Sequence, residues 1–103
     1  MTERVAVAEA AALEEGVPVK VEAFGREIAL VRHQGVVRAL DDVCPHRGGP
    51  MHQGEVVDGC LECPLHGWAF SLETGMMDGS AGVALEVFSV REEDGRVYLE
   101  APS

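Results

Sequence analysis

Apolar and polar residues alternate along most of this 103-residue chain, and the alternation predicts short β-strands. The clearest case is residues 17–23, where Val17, Val19, Val21 and Ala23 would share one face of a half-buried strand. Turn residues separate this strand from its neighbours and predict successive antiparallel hairpins. Further strands are predicted at residues 4–8, 27–32, 36–40, 84–91 and 96–100, with turns at 24–26, 33–35 and 94–95.

Two segments depart from this strand pattern. Residues 9–15 contain strong helix formers and end at Gly16, which predicts one or two helical turns. Residues 44–75 carry six of the twelve glycines and three of the five prolines, which favours turns over long strands. The short strands predicted in this second segment are 55–58, 60–62 and 68–71, followed by a loop at 76–83.

The many short strands and the near absence of helix predict an all-β fold, either a sandwich or a small barrel. The chain length suits a single domain over residues 1–103. The segment rich in glycine and proline, at about residues 43–75, would then be an insertion between the middle strands and the last strands.

Composition narrows the classes of function. Apolar residues make up 47% of the chain and charged residues 25%, as in a soluble globular protein. No apolar run approaches the roughly 18 residues that span a bilayer, and the first residues lack a signal-peptide pattern. These observations predict a cytoplasmic protein with no membrane partner.

The charge balance is strongly acidic, with 18 acidic residues against 8 basic ones and a net charge of -10. Such a chain would be repelled by phosphate groups, which argues against nucleic acid as a partner. Long-range attraction would favour a protein partner with a basic docking face. The acidity could equally serve solubility alone.

Two short clusters carry candidate metal ligands. Cys44 and His46 form the first cluster, Cys63 and His66 form the second, and sixteen residues separate His46 from Cys63. Each cluster offers one thiolate and one imidazole beside proline and glycine, which predicts two loops holding one metal centre. The same ligand types could hold either an iron–sulfur cluster or a structural zinc ion.

The spacing of these four residues resembles the Rieske iron–sulfur motif, in which two thiolates hold one iron and two imidazoles hold the other. The resemblance extends to an aspartate-rich lead-in at 40–42, a G-x-P sequence at 48–50, and a D-G-x-V hairpin at 94–97. It implies a sandwich of antiparallel sheets, with a Rieske-type [2Fe-2S] cluster at one tip of an inserted cluster-binding subdomain. The cluster ligands implied by the resemblance are Cys44, His46, Cys63 and His66, and its imidazoles would be the exit for the electron.

The resemblance also points to residues around the cluster. Gly48, Gly49 and Gly67 lack a Cβ, so their backbone amides could approach a sulfide and stabilise its negative charge. Trp68 and Phe70 stand where quinol-oxidising relatives have serine and tyrosine, and neither can donate a hydrogen bond through a hydroxyl. Since donors stabilise the reduced cluster, their loss predicts a potential in the low part of the Rieske range of about -150 to +300 mV.

Other candidate ligands have simpler interpretations. Cys60 forms a C-x-x-C sequence with Cys63 but has no second pair to complete a zinc site, so it is interpreted as a packed thiol. His52 is interpreted as a histidine at the surface or beside the metal ligands and not as a ligand itself, and His33 as a solvated histidine. The candidates for apolar shielding of the cluster are Met51, Met76 and Met77. The candidate for the rim of a docking surface is Arg47.

The favoured function is a soluble one-electron carrier that accepts electrons from an NAD(P)H-dependent flavoprotein reductase and passes them to a terminal oxygenase. The sequence contains no phosphate-binding glycine loop and no catalytic triad signature, so the chain is interpreted as an electron-transfer component rather than an enzyme by itself. The second hypothesis is the Rieske-like small subunit of an assimilatory NAD(P)H nitrite reductase, whose partner would be the large subunit. The third is a structural zinc-binding module.

Overall fold

A computed structural model describes residues 4–43, 50–64, 68–77 and 84–100. Within these ranges, no helix has the length and apolar character of a membrane-spanning segment. Two 3₁₀ turns occur, at Ala10–Ala12 and Met51–Gln53. The strands are β1 (Arg4–Glu9), β2 (Val19–Ala23), β3 (Arg26–His33), β4 (Val36–Asp41), β5 (Glu55–Val57), β6 (Cys60–Glu62), β7 (Ala69–Ser71), β8 (Val87–Phe88), β9 (Val90–Glu93) and β10 (Arg96–Glu100).

The strands form three antiparallel sheets, with orders β1-β10-β9, β2-β3-β4-β8 and β5-β6-β7. Four two-residue hairpin loops connect neighbouring strands, and both residues of each loop have positive φ. This backbone conformation is that of the type I′ turn, whose twist matches the twist of paired strands. The four loops are Phe24-Gly25, Gln34-Gly35, Asp58-Gly59 and Asp94-Gly95.

Strand β3 is the centre of the fold because it is buried on both faces. Ile28 and Leu30 pack in a core shared with β10, whereas Ala29 and Val31 pack in a second core shared with the β5–β7 sheet. All four side chains are fully buried, as expected for a strand covered on both sides. The first core joins the β1-β10-β9 sheet to the central sheet, and the second joins the inserted sheet to it. The prediction of an all-β antiparallel sandwich with an inserted subdomain is therefore confirmed.

The prediction of one strand over residues 84–91 is wrong. The chain forms β8, which pairs with β4, and then β9, which pairs with β10 in a different sheet. Between them, the carbonyl oxygen of Ser89 accepts a hydrogen bond from the Glu100 amide at 3.0 Å. The segment is divided because it passes from one sheet of the sandwich to the other, and the local alternation of residues does not encode that passage.

Of the one or two helical turns predicted at residues 9–15, the structure forms one, a 3₁₀ turn at Ala10–Ala12. The guanidinium group of Arg32 donates hydrogen bonds to the carbonyl oxygens of Ala10 and Leu13, at 3.0 and 3.1 Å. In a continued α-helix the Ala10 carbonyl would accept from the Glu14 amide, but here it accepts from the Leu13 amide and from Arg32 instead. Tertiary contacts from β3 thus override the helix propensity of the segment.

Candidate metal centre

The first ligand cluster lies between two described flanks that meet at the end of β4. Val43 and Pro50 form an antiparallel bridge, and the Met51 amide donates a 2.7 Å hydrogen bond to the Asp42 carbonyl. These four residues are here called the first neck. Cys44, His46, Gly48 and Gly49 fall in residues 44–49, outside the described part of the chain, as does Arg47. The first neck therefore fixes where this ligand loop leaves and rejoins the sheet.

The second ligand cluster begins at the end of the β6–β7 hairpin. Glu62 pairs with Ala69, and beyond that pair the Cys63 amide donates a 2.7 Å hydrogen bond to the Trp68 carbonyl. Cys63 and Trp68 are here called the second neck. His66 and Gly67 fall in residues 65–67, outside the described residues.

Gly54 brings the two necks together. It follows the 3₁₀ turn that leaves the first neck, and it packs directly against Glu62, the residue before Cys63. A Cβ at position 54 would lie only 1.7 Å from the Glu62 carbonyl oxygen and 3.3 Å from that of Met51. The two ligand segments thus rest on a backbone-to-backbone contact that only glycine permits.

One apolar core lies under both necks. Met51, Cys63 and Phe70 belong to the same buried cluster, and Trp68 and Met77 pack against it. Met76, by contrast, is 47% exposed, so among the methionines proposed as shielding it does not contribute to this core. The core gives the ligand segments a rigid base, which a metal centre needs in order to hold its ligands in fixed positions.

Cys63 has the properties of a ligand at the base of a loop. Its side chain is buried, with 3% exposure, and it is in no disulfide. A thiolate buried among apolar groups needs a compensating positive charge, which a bound iron supplies. The donor set of the sequence, two thiolates and two imidazoles, therefore fits an iron–sulfur centre held between the two necks.

Cys60 lies at the start of β6, pairs with Ser71 across the ladder, and forms no disulfide with Cys63. It is half-buried at the far end of the strand from the second neck. Its position agrees with the interpretation of a packed thiol.

Sequence reasoning missed one polar pair at the first neck. The Asp42 side chain accepts hydrogen bonds from the His52 amide at 2.7 Å and from the His52 ring nitrogen Nδ1 at 2.9 Å. Asp42 and His52 are ten residues apart, and no spacing rule in the sequence links them. The pair is a product of the way the first loop returns to the sheet.

Ion pairs concentrate in the sheets away from the insertion. Arg26 lies 2.9 Å from Asp41, contacts Glu86, and stacks over the Phe88 ring. Burial opposes its charge, but the hydrogen bond to Asp41 and the attraction of both carboxylates raise the pKa of Arg26 above its usual value. These contacts brace the end of β4, directly before the first neck.

The inserted segment carries uncompensated negative charge. Residues 43–75 contain four acidic residues and one base, Arg47. The four acids all lie within the described residues and form none of the ion pairs found there: Glu55, Asp58, Glu62 and Glu73. The inserted segment is thus acidic on balance, whereas four of the bases elsewhere are neutralised by carboxylates.

Comparisons with known proteins agree with this geometry. The family model described as the Rieske [2Fe-2S] domain matches residues 3–97. The ferredoxin component of the alkene monooxygenase system of Xanthobacter autotrophicus is 39% identical over 74 residues, which are 71% of this chain and 61% of that protein. The matches to two further curated relatives cover only 23% and 15% of their lengths.

Two solved structures match over nearly their whole length. The ferredoxin of carbazole 1,9a-dioxygenase from Nocardioides aromaticivorans has a TM-score of 0.87 and 28% identity, with 97% of this chain and 98% of that chain covered. A protein described as an NADH-dependent nitrite reductase small subunit from Mycobacterium tuberculosis has a TM-score of 0.93 and 25% identity, with 100% and 98% covered. Taken with the match of the family model to most of the chain, these likenesses show that the chain belongs to the Rieske [2Fe-2S] domain family, whose cofactor is a Rieske-type [2Fe-2S] cluster.

Proposed function

We propose that this chain is a one-electron carrier, which accepts electrons from an NAD(P)H-dependent flavoprotein reductase and passes them to a terminal oxygenase. The observation that carries the proposal is the likeness, in both sequence and fold, to proteins named as ferredoxin components of oxygenase systems. A carrier needs no substrate pocket, only a redox centre on a rigid support. The chain itself would not be an enzyme.

The ligands in this proposal are Cys44 and Cys63 on one iron, with His46 and His66 on the other. When bound, the cluster supplies reversible one-electron chemistry. The protein's part is to hold the two ligand segments on the shared core and the Gly54 contact. Gly48, Gly49 and Gly67 would let backbone amides approach the sulfides.

Trp68 and Phe70 are proposed to keep the potential low. Phe70 is fully buried in the same core as Cys63, and Trp68 packs against that core. Neither side chain carries a hydroxyl that could donate to the cluster or to a ligand sulfur. The reduced, more negative cluster would therefore receive less stabilisation than in quinol-oxidising Rieske proteins.

The acidic insertion favours protein partners with basic docking faces and disfavours nucleic acid. Attraction between such faces speeds the encounter and orients the cluster end of the carrier toward its partner. A flavoprotein that oxidises NAD(P)H works where that cofactor is abundant, so the proposal places the whole domain, residues 1–103, in the cytoplasm.

The experiment is to purify the protein without oxygen and to record absorption and electron paramagnetic resonance spectra before and after reduction. The reduced protein is then mixed with a terminal oxygenase encoded near its gene, and its reoxidation is followed by stopped-flow absorption. The proposal expects a Rieske-type spectrum and reoxidation that speeds up with oxygenase concentration. Colourless protein with stoichiometric zinc, or reoxidation no faster than with serum albumin, would contradict it.

A second candidate, the small subunit of a nitrite reductase, is favoured by one observation. The fold superposes on the mycobacterial small subunit with a TM-score of 0.93 over the whole of this chain. Such subunits often lose the cluster ligands, and all four are present here, so this function ranks second. Co-purification with a sirohaem-containing large subunit, together with nitrite-dependent NAD(P)H oxidation that requires this chain, would replace the carrier proposal.

A further inference from the structure

Asp42 is the only charged residue that is fully buried within the described part of the chain, with 2% exposure. A buried carboxylate is costly unless its oxygens accept hydrogen bonds from nearby donors. Here the His52 backbone amide donates at 2.7 Å, and the ring nitrogen Nδ1 lies 2.9 and 3.0 Å from the two carboxylate oxygens. An ionised carboxylate can only accept, so Nδ1 carries the hydrogen. Both oxygens of the Asp42 carboxylate thus accept hydrogen bonds from His52.

The backbone of Asp42 is held as firmly as its side chain. Its amide donates to the Glu27 carbonyl at 3.0 Å, which extends the β3–β4 pairing by one residue. Its carbonyl accepts from the Met51 amide at 2.7 Å. Asp42 is thus tied to the central sheet on one side and to the 3₁₀ turn at Met51–Gln53 on the other.

These contacts lie on both sides of the first ligand loop, residues 44–49. Asp42 precedes the loop, His52 follows it, and the Val43–Pro50 bridge lies between them. Among the described residues, the other contacts that join the two sides of the loop at the first neck are that bridge and the Met51 hydrogen bond. The pair therefore adds two hydrogen-bonded contacts between the segment that enters the loop and the segment that leaves it.

We propose that Asp42 and His52 form a latch that positions the first ligand loop for cluster binding, with His52 acting as a positioning residue and not as a ligand. The inference rests on the proposed ligand set, since it requires Cys44 and His46 to bind iron. Groups that orient metal ligands commonly change metal retention by about 10- to 100-fold when they are lost.

The test compares three variants of the cluster-loaded protein. His52→Leu removes the ring nitrogen, and His52→Asn places an amide nitrogen near the position of Nδ1. His33→Leu is the matched control, because His33 ends β3 outside both necks. The measurements are the rate of iron release to a chelator and the paramagnetic resonance spectrum of the reduced cluster.

A latch predicts that His52→Leu releases iron about tenfold faster or more and shifts the resonance spectrum. His52→Asn should return the release rate to within a few-fold of the parent protein, and His33→Leu should match the parent. Parent-like release and spectrum in His52→Leu would overturn the latch, as would a folded His52→Asn as labile as His52→Leu.

Should His52→Leu fail to fold, Asp42→Asn decides the matter. This variant keeps an acceptor for the His52 amide but weakens the contact with the His52 ring. The latch therefore predicts that Asp42→Asn releases iron faster than the parent protein does. An unchanged rate of iron release would overturn the latch. If the parent protein itself binds no cluster, the proposed ligand set fails, and the latch, which requires it, fails as well. If the parent binds a normal cluster and the variants behave like it, only the latch fails.

Discussion

Replacing Gly54 with alanine tests whether the contact between the two ligand segments supports the metal centre. Gly54 has φ of -83°, a backbone conformation that any residue can adopt, so alanine at this position would cause no strain in φ. The substitution would instead cause a steric clash, because the new Cβ would lie 1.7 Å from the Glu62 carbonyl oxygen and 2.9 Å from the Glu62 carbonyl carbon.

The magnitude follows from that geometry. Real Cβ atoms essentially never approach a neighbour closer than 3.0 Å, so the chain must open by about 1.3 Å at this point. Both atoms in the clash on the Glu62 side belong to the backbone, so no side chain can rotate away. Overpacking of this kind costs roughly 1–3 kcal/mol. A cost of about 2 kcal/mol lowers the unfolding midpoint of a domain of this size by about 8–16 °C.

The assay follows thermal unfolding of the cluster-loaded protein by far-ultraviolet circular dichroism, and cluster loss by visible absorbance. Gly95→Ala is the control, because Gly95 has φ of +78° and open space around it, in the hairpin between β9 and β10. The control should lose about 1 kcal/mol to backbone strain and should keep its cluster. Gly54→Ala should lose more stability and also release the cluster at a lower temperature. If the two variants lose equal stability and retain the cluster equally, the reasoning about the contact is refuted.

The remaining predictions concern potential and pH. The double variant Trp68→Ser with Phe70→Tyr should raise the potential by roughly 90–170 mV, since each of the two new hydroxyls can donate one hydrogen bond that favours the reduced cluster by about 1–2 kcal/mol, or about 43–87 mV for one electron; protein-film voltammetry showing no rise would contradict this. His66→Cys should keep a cluster whose potential is lower by on the order of 100 mV, because it adds a thiolate charge, and an unchanged potential would mean that His66 does not bind iron. Hydrogen bonds from the Gln34 and Gly35 amides lower the pKa of Glu15, so its stabilising effect should be full near neutral pH and lost as the pH falls below about 4. The difference in unfolding midpoint between the parent and Glu15→Gln should therefore be constant from neutral pH to about pH 5 and shrink on further acidification, and a difference that stays the same from about pH 5 down to about pH 2 would contradict it.

Features that depend on neighbouring residues could be predicted from the sequence. The Gln34-Gly35 and Asp94-Gly95 turns form where residues tolerant of positive φ occur between alternating segments. The Cys-His spacing resembles the Rieske motif, and that resemblance predicted the cluster type, since the donor types by themselves could also hold zinc. The positions of the ligands themselves remain predictions, since three of the four lie outside the described residues.

The sequence by itself therefore determined the alternation of apolar and polar residues, the turns, and the set of candidate metal ligands, because each of these is encoded within a few neighbouring residues. Only the tertiary structure decided that residues 84–91 divide between two sheets, that Gly54 meets Glu62, and that Asp42 meets His52. Each of these depends on segments that the fold brings together and that no short-range pattern links. A local pattern records which side of a strand is apolar, but not which other segment of backbone will pack against it, and the Gly54–Glu62 contact that joins the two necks is of the second kind.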